Sequence, residues 1–436
     1  MVEQYQISGG TAADIAASVE TGVRSGRFAP GESLPPIRRL AVDLAVSPAT
    51  VAVAYRSLRQ RGVVETAGRH GTRIRHRPPV AVRPSSRLPP GLLDLSSGEP
   101  DTALLPPLRN ALARVDPAPG GYSGGGPLPR LLEMAAHRLE REHVVGNMTV
   151  TGGALDGIDR TLAAHLGAGD AVGVEDPTWP NLRDLVAAHG LHPVPMPVDD
   201  DGPTTEGLEG ALAAGVGAVI VTSRAQNPTG AVITAQRAVR LRETLMRHRE
   251  VLVIEDDHWG ELATDRLHPV VATTDRWIFL RSVSKPYGPD LRLAVAVGDE
   301  ATIARLEGRM RIGAGWVSTI LQQTVAALMD DPDTNAVIRN ASRRYADKQR
   351  ALIAALADHG VPAHGRSGLN VWIPVADEIT VVTTLRDHGY AVTPGTHFRR
   401  DSPPAIRITV ATLPDDQIER IAGIVASVPA SAPRVV

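Results

Sequence analysis

A chain of 436 residues, 43% hydrophobic and 22% charged, has the length and composition of two or three globular domains around a large core. Its 46 basic and 48 acidic residues nearly balance, and the absence of cysteine excludes disulfides, thiolate zinc sites and cysteine nucleophiles. The first twenty residues lack a basic stretch followed by an apolar run, and no 18-residue apolar stretch follows, so neither a secretory signal nor a membrane span is expected and the cytoplasm is the default location.

Only two of the basic residues are lysine, Lys285 and Lys348; the other 44 are arginine. Arginine does most charge work as well as lysine, but it cannot lose a proton to attack a carbonyl. A lysine kept in such a chain is a candidate for amine chemistry, beside the plainer reading of a surface charge. Charge also divides the chain. Residues 1–90 hold 13 arginines against six acids, a net +7, and the remainder carries −9. A small basic segment joined to a large acidic one suggests a nucleic-acid module attached to something else.

In chain order, Thr11 and Asp14 form a capping-box pattern, and Ile15, Val19 and Val23 recur on one helical face. Gly26 and Pro30-Gly31 end that helix. A second short helix follows Pro35-Pro36 through Arg38, Leu40 and Leu44. A third starts at Ser47 as N-cap with Pro48 in the first position; its apolar face is Val51, Ala54, Tyr55 and Leu58, and Gly62 stops it. Two β-like runs, 63–66 and 72–74, flank Gly68-Arg-His-Gly71. Three helices and a β-wing would turn Arg38, Ser47, Thr50, Arg69 and His70 toward a duplex, with the third helix in the major groove and Arg38 and the wing on phosphates. Composition alone leaves open a small helical domain with a solvated arginine face. The stretch from Arg24 to Tyr55, GRFAPGESLPPIRRLAVDLAVSPATVAVAY in its greater part, resembles the winged helix-turn-helix of the GntR family across residues 11–75. Pro48 stands where that family commonly has arginine, so operator preference is expected to differ.

Residues 76–90 contain five prolines and read as a semi-stiff linker. Beyond residue 145, β-like runs at Ala171–Glu175, Gly217–Thr222, Val251–Glu255, Trp277–Ser282 and Arg292–Val297 alternate with helical stretches. This pattern predicts an α/β fold, a parallel sheet with helices on both faces and ligands at the strands' carboxyl ends. Thr151-Gly-Gly-Ala154 ends a strand and opens a helix, where free amides suit a phosphate or merely make a turn. Glu255-Asp256-Asp257 closes an apolar strand, as loop solvation or as a cofactor contact. Lys285, just past the strand ending at Ser282, is placed to bind phosphate or to form a Schiff base; only the second task requires lysine. Lys348 lies in a charged helical stretch and reads as solvated. The histidines show no ligand spacing, and no metal site is expected.

The ordered set Tyr122, Gly152-Gly153-Ala154, Asp176-Pro-Thr-Trp179, Gln226-Asn227-Pro-Thr-Gly230, Asp256, Ser282-x-Ser-Lys285, Arg292, Pro394-Gly395 and Arg407 resembles fold-type I aminotransferases over residues 93–436. The resemblance implies a pyridoxal 5′-phosphate (PLP) fold with large and small subdomains and a mostly parallel sheet. It implies Lys285 as the Schiff-base lysine, Asp256 on the pyridine nitrogen, Asn227 on the ring hydroxyl and Trp179 stacked on the ring. Gly153, Ala154, Ser282 and Arg292 would hold the phosphate, and Arg407 a substrate carboxylate. Tyr122 would reach the neighbouring subunit of a homodimer. His258 departs from the tyrosine that related regulators usually carry there, hydrogen-bonded near the ring, and the resemblance implies it as a cofactor contact that could donate in its place. The expected organisation is therefore a DNA-binding domain at 1–75, a linker at 76–92 and an aminotransferase-like domain at 93–436. Winged helix and PLP fold together resemble the MocR (GabR-like) subfamily of transcription regulators. This implies a protein that binds operator DNA and senses an amine, an amino acid or PLP itself through aldimine exchange at Lys285. The alternative is a working aminotransferase that keeps a DNA-binding module, favoured by Asn227-Pro-Thr-Gly230. A DNA-binding protein with a decayed site fits less well with Lys285, Asp256 and Arg292 all in place.

Overall fold

The computed structural model describes residues 6–24, 27–29, 31–60, 63–66, 71–75, 88–89, 91–116, 121–122 and 125–428. Two compact units are present, and Leu166–Ala171 and Asn181–Pro193 fall in the unit of the N-terminal segment. That segment contains α1 (Ala12–Arg24), α2 (Ile37–Asp43), α3 (Pro48–Gln60), β1 (Val64–Thr66) and β2 (Thr72–Ile74), the two strands pairing antiparallel. The capping box closes as its sequence dictates. Asp14 N–H donates to Thr11 Oγ1 at 3.2 Å, and Thr11 N–H donates back to Asp14 Oδ2 at 3.1 Å. Ile15, Val19, Leu40, Val51, Ala54, Leu58, Val64 and Ile74 make one buried core, with Tyr55 Oη donating to the Pro35 carbonyl at 2.7 Å. Leu44 caps α2 from outside, and Ala45 turns the chain into α3 through a left-handed φ of 53°.

In the larger part, β3 (Leu93–Asp94), α4 (Leu108–Leu112) and α5 (Pro129–Glu140) come first. The sheet is then laid down by β4 (Asn147–Thr151), α6 (Ala154–His165), β5 (Ala171–Asp176), α7 (Pro180–Ala188), β6 (His192–Asp199) and β7 (Gly202–Pro203). It continues with α8 (Thr205–Ala213), β8 (Ala218–Thr222), α9 (Ala235–Leu245), β9 (Leu252–Asp257), β10 (Arg276–Ser282), α10 (Ser284–Tyr287) and β11 (Ala294–Gly298). The strand order is β4-β11-β10-β9-β8-β5-β6-β7. Neighbours from β5 to β10 run parallel, while β11 lies antiparallel between β10 and β4. Strands β8 and β9 are buried throughout, as a sheet covered on both faces requires. One expectation needs correction. Arg292 does not begin a strand: it follows a 3₁₀ turn with φ of 41°, and β11 starts at Ala294.

Helices α11 (Glu300–Arg311), α12 (Thr319–Asp330) and α13 (Pro332–Asp358) lead to a smaller subdomain. It contains β12 (Asn370–Pro374), α14 (Glu378–Asp387), β13 (Tyr390–Ala391), β14 (Thr393–Pro394), β15 (Ala405–Thr409) and α15 (Ile418–Ser427). Its core joins Leu352, Leu356, Val371, Ile373, Leu385, Ile406, Ile408 and Ile421 to Leu95 from the start of this unit. Beside the main sheet, Asp257 is fully buried and ion-paired to Arg224 Nη2 at 2.5 Å and Arg281 Nε at 2.8 Å. Both guanidiniums also reach Glu142. The two cations hold the Asp257 carboxyl well below the usual range despite its burial. Asp257→Asn leaves two buried cations short of a counter-charge, and a loss of about 3–5 kcal/mol is expected. It should appear as a lower urea midpoint at unchanged slope.

Candidate functional site

The register brings the parallel strands to a common edge. Asp256 on β9 lies opposite Thr222 on β8 and Leu280 on β10, and Lys285 follows β10 by three residues on α10. Alternation along a strand separates the three acids that end β9. Glu255 accepts from Ser223 Oγ at 2.8 Å and from the Val270 and Val271 amides at 2.8 and 3.0 Å. Burial nevertheless pushes it up to about 7. Asp257 belongs to the arginine pair. Asp256 is different: it is 4% exposed, its Oδ2 lies 3.5 Å from His258 Nδ1, and its buried Oδ1 has no hydrogen-bond partner.

Lys285 Nζ donates to the Gly98 carbonyl at 2.6 Å. Burial, with the Arg407 cation nearby, pushes its amine down to about 8. Gly98 has φ of 67°, and a Cβ there would lie 3.0 Å from Arg407 Nη1, so the close approach needs glycine. Arg407, on β15 and 4% exposed, donates through Nη1 to Asn227 Oδ1 at 3.0 Å and through Nη2 to the Ser96 carbonyl and Thr393 Oγ1. Its guanidinium stacks 4.7 Å above the Phe398 ring, and its buried Nε is unpartnered. Burial lowers it to about 10, leaving it a cation at neutral pH.

At the other corner, Gly153 (φ 109°) precedes α6, and a Cβ there would meet Arg292 Nη2 at 2.9 Å. Arg292 Nη2 lies 3.4 Å from the Gly152 carbonyl. Ala154 is the first residue of α6, and Ser282, buried at the end of β10, accepts at Oγ from Ser284 N–H at 3.3 Å. A helix start, a glycine without room for a side chain and an exposed arginine form a cradle for an anion. An amine with a depressed pKa, a buried carboxylate oxygen without a donor and an anion cradle fit a phosphorylated aldehyde with a ring nitrogen.

Trp179 follows β5 and is half-buried. Tyr122 is not brought to the others within the single chain: it is 93% exposed and packs edge-on against Trp316 at 6.2 Å. Lys348 is not a solvated charge. It is half-buried and donates to the Ala411 carbonyl at 3.2 Å. In the N-terminal segment Arg38 is exposed on α2. Ser47 and Thr50 have their hydroxyls 2.8 Å apart, and Ser47 Oγ accepts from Thr50 N–H. Arg69 and His70 lie outside the described residues. Gly98, Ser96, Thr393 and Glu175 join these side chains without belonging to any motif of the sequence. Glu175 accepts from the Thr222 amide and hydroxyl and from Gln226 Nε2; the apolar run before it and the adjacent Asp176 were its only signal.

Residues 90–425 match the family "Aminotransferase class I and II" and residues 11–74 match "Bacterial regulatory proteins, gntR family". The chain is 39% identical to the Salmonella typhimurium vitamin B6 salvage pathway transcriptional repressor PtsJ, over 95% of this chain and 98% of that one. It is 29% identical to the Corynebacterium glutamicum HTH-type pyridoxine biosynthesis transcriptional regulator PdxR, over 86% of each. Among solved structures, the Pyrococcus horikoshii kynurenine aminotransferase in complex with PMP superposes with a TM-score of 0.69 at 22% identity, covering 77% of this chain and 90% of that one.

The depressed amine has a direct test, since Lys348→Arg leaves Lys285 as the only lysine. A neutral amine forms as pH rises through about 8. Reductive alkylation of Lys285 in cofactor-free protein should therefore rise about tenfold from pH 7 to 9 and then flatten, followed by peptide mass spectrometry. An ordinary lysine climbs about a hundredfold over that interval and keeps climbing; such a profile would refute the assignment.

Proposed function

The chain belongs to the MocR-type branch of the bacterial GntR-family regulators, a winged helix-turn-helix joined to an aminotransferase class I and II fold, and from that premise we propose that it controls vitamin B6 supply genes in response to pyridoxal 5′-phosphate. That compound is the cofactor of the fold. Bound, it supplies an aldehyde for condensation with primary amines and a ring that acts as an electron sink. The residues present suit it. Lys285 offers an amine that is partly neutral near pH 8. Asp256 Oδ1 offers an acceptor for a ring N–H, and His258 Nδ1 lies 3.5 Å from Oδ2. Gly153, Ala154, Ser282 and Arg292 would hold the phosphate, Asn227 would offer its side-chain amide, and Trp179 an aromatic face. The depressed amine of Lys285 and the unpartnered Asp256 Oδ1, on a chain that also carries a DNA-binding unit, are the observation that carries the proposal.

Arg407 directs the choice of effector. Three of its five donors are already engaged with Asn227, Ser96 and Thr393. An amino acid's carboxylate would find two donors left, the buried Nε among them, and a clamp on both Nη atoms would compete with those acceptors, which the cofactor alone does not need. The relatives named for vitamin B6 salvage and pyridoxine biosynthesis point the same way. In this reading the working form is a cytoplasmic homodimer, with Tyr122 reaching the partner's site. The cofactor shifts the equilibrium only in so far as it binds two arrangements of the protein unequally.

DNA upstream of the protein's own gene should be retarded, with an affinity that changes at least about fivefold when PLP is added. Lys285→Ala should keep the DNA binding and lose both the yellow colour and the response. Failure to retard this DNA with or without PLP would overturn the proposal. Sustained turnover of an amino acid with a 2-oxo acid would make the chain an aminotransferase instead.

A further inference from the structure

The outer face of α3 is unusual for a helix that reads bases. Val51, Ala54, Tyr55 and Leu58 are buried on its inner side, none more than 5% exposed. With 3.6 residues per turn, the opposite side is Ala49, Val53 and Arg56, spaced i, i+4, i+7, and all three are exposed. Val53 is 50% exposed. Pro48 at the helix start is also exposed and has no N–H to give. The hydroxyls of Ser47 and Thr50 are bonded to each other, and Ser47 also caps the helix. The first two turns therefore present a proline ring, a methyl and an isopropyl group before the first cation, Arg56. A β-branched side chain on an exposed helical face loses rotamer freedom with no burial in return.

Resting on the reading of this unit as DNA-binding, we infer that α3 recognises thymine C5-methyl groups in the major groove through Ala49 and Val53. The helix is held by Arg56 and the segment's net positive charge on the backbone. Of the features displayed in that groove, the thymine methyl is the one apolar group; the rest are hydrogen-bond donors and acceptors. Ala49 and Val53 can satisfy none of those. Set against a guanine or cytosine edge, they strip water from polar atoms without replacing its hydrogen bonds. Set against a methyl group, they bury apolar surface on both sides. Arg56, on the same face and about two turns from the helix start, supplies a cation for phosphate or guanine.

The test uses the full-length protein and the stretch of its own upstream DNA that it protects. Each thymine in that stretch is replaced singly by uracil, which removes the methyl and leaves the pairing intact. Affinity should fall about fourfold at one or two positions per half-site, the weight of one buried methyl group. In Val53→Ala, thymine and uracil should bind alike at one of those positions. A uracil scan of the wild-type protein with no sensitive position overturns the inference, whatever the variant does. So does sensitivity that survives unchanged in both Val53→Ala and Ala49→Gly. A protein that protects no DNA at all overturns the DNA-binding reading as well, which separates the two failures.

Discussion

Three consecutive carboxylates close β9, and the two-residue period of the strand decides what each can do. Glu255 and Asp257 are completely buried, where a charge without partners is prohibitive. Glu255 is served by a hydroxyl and two amides, Asp257 by two guanidiniums. Asp256, between them, is left with one oxygen unserved. The arginines that neutralise Asp257 come from β10 and from just beyond β8, the strands on either side of β9. One buried ion cluster thereby joins three strand ends, and Ser282 and Lys285 emerge from one of them.

Two cations of the candidate site hold one backbone segment between the main sheet and the smaller subdomain. Arg407, on the smaller subdomain, reaches Asn227 beside the main sheet and the carbonyl of Ser96. Lys285, at the sheet's edge, holds the carbonyl of Gly98. Segment 96–98 is thus fixed from two sides by the two cations of the site. Each of them donates to a backbone oxygen of that segment, Lys285 to Gly98 and Arg407 to Ser96.

Much of this was legible because local chemistry and global fold agree. Thr11 with Asp14, and Ser47 with Pro48, mark helix starts by satisfying backbone amides locally, and the structure keeps both. Scarcity pointed to Lys285, since arginine cannot replace a nucleophilic amine. The same scarcity said nothing of Lys348, whose bond to the Ala411 carbonyl depends on a segment 63 residues away. Contacts of that range also hid Gly98 and Thr393, which acquire meaning only when the smaller subdomain folds beside the sheet. Arg292 misled for a different reason: the apolar residues after it read as a strand, and a left-handed backbone is invisible in residue type unless it is glycine.

That left-handed arginine sets two requirements against each other. A non-glycine residue at φ of 41° costs on the order of 1–2 kcal/mol relative to a relaxed backbone. Glycine at this corner would remove that cost and with it the cation beside Gly152 and Gly153. The fold carries a small permanent tension at this corner, and the residue that causes it is the one that brings a guanidinium beside the start of α6. A relaxed backbone and a local positive charge are thereby placed in opposition at a single Cα.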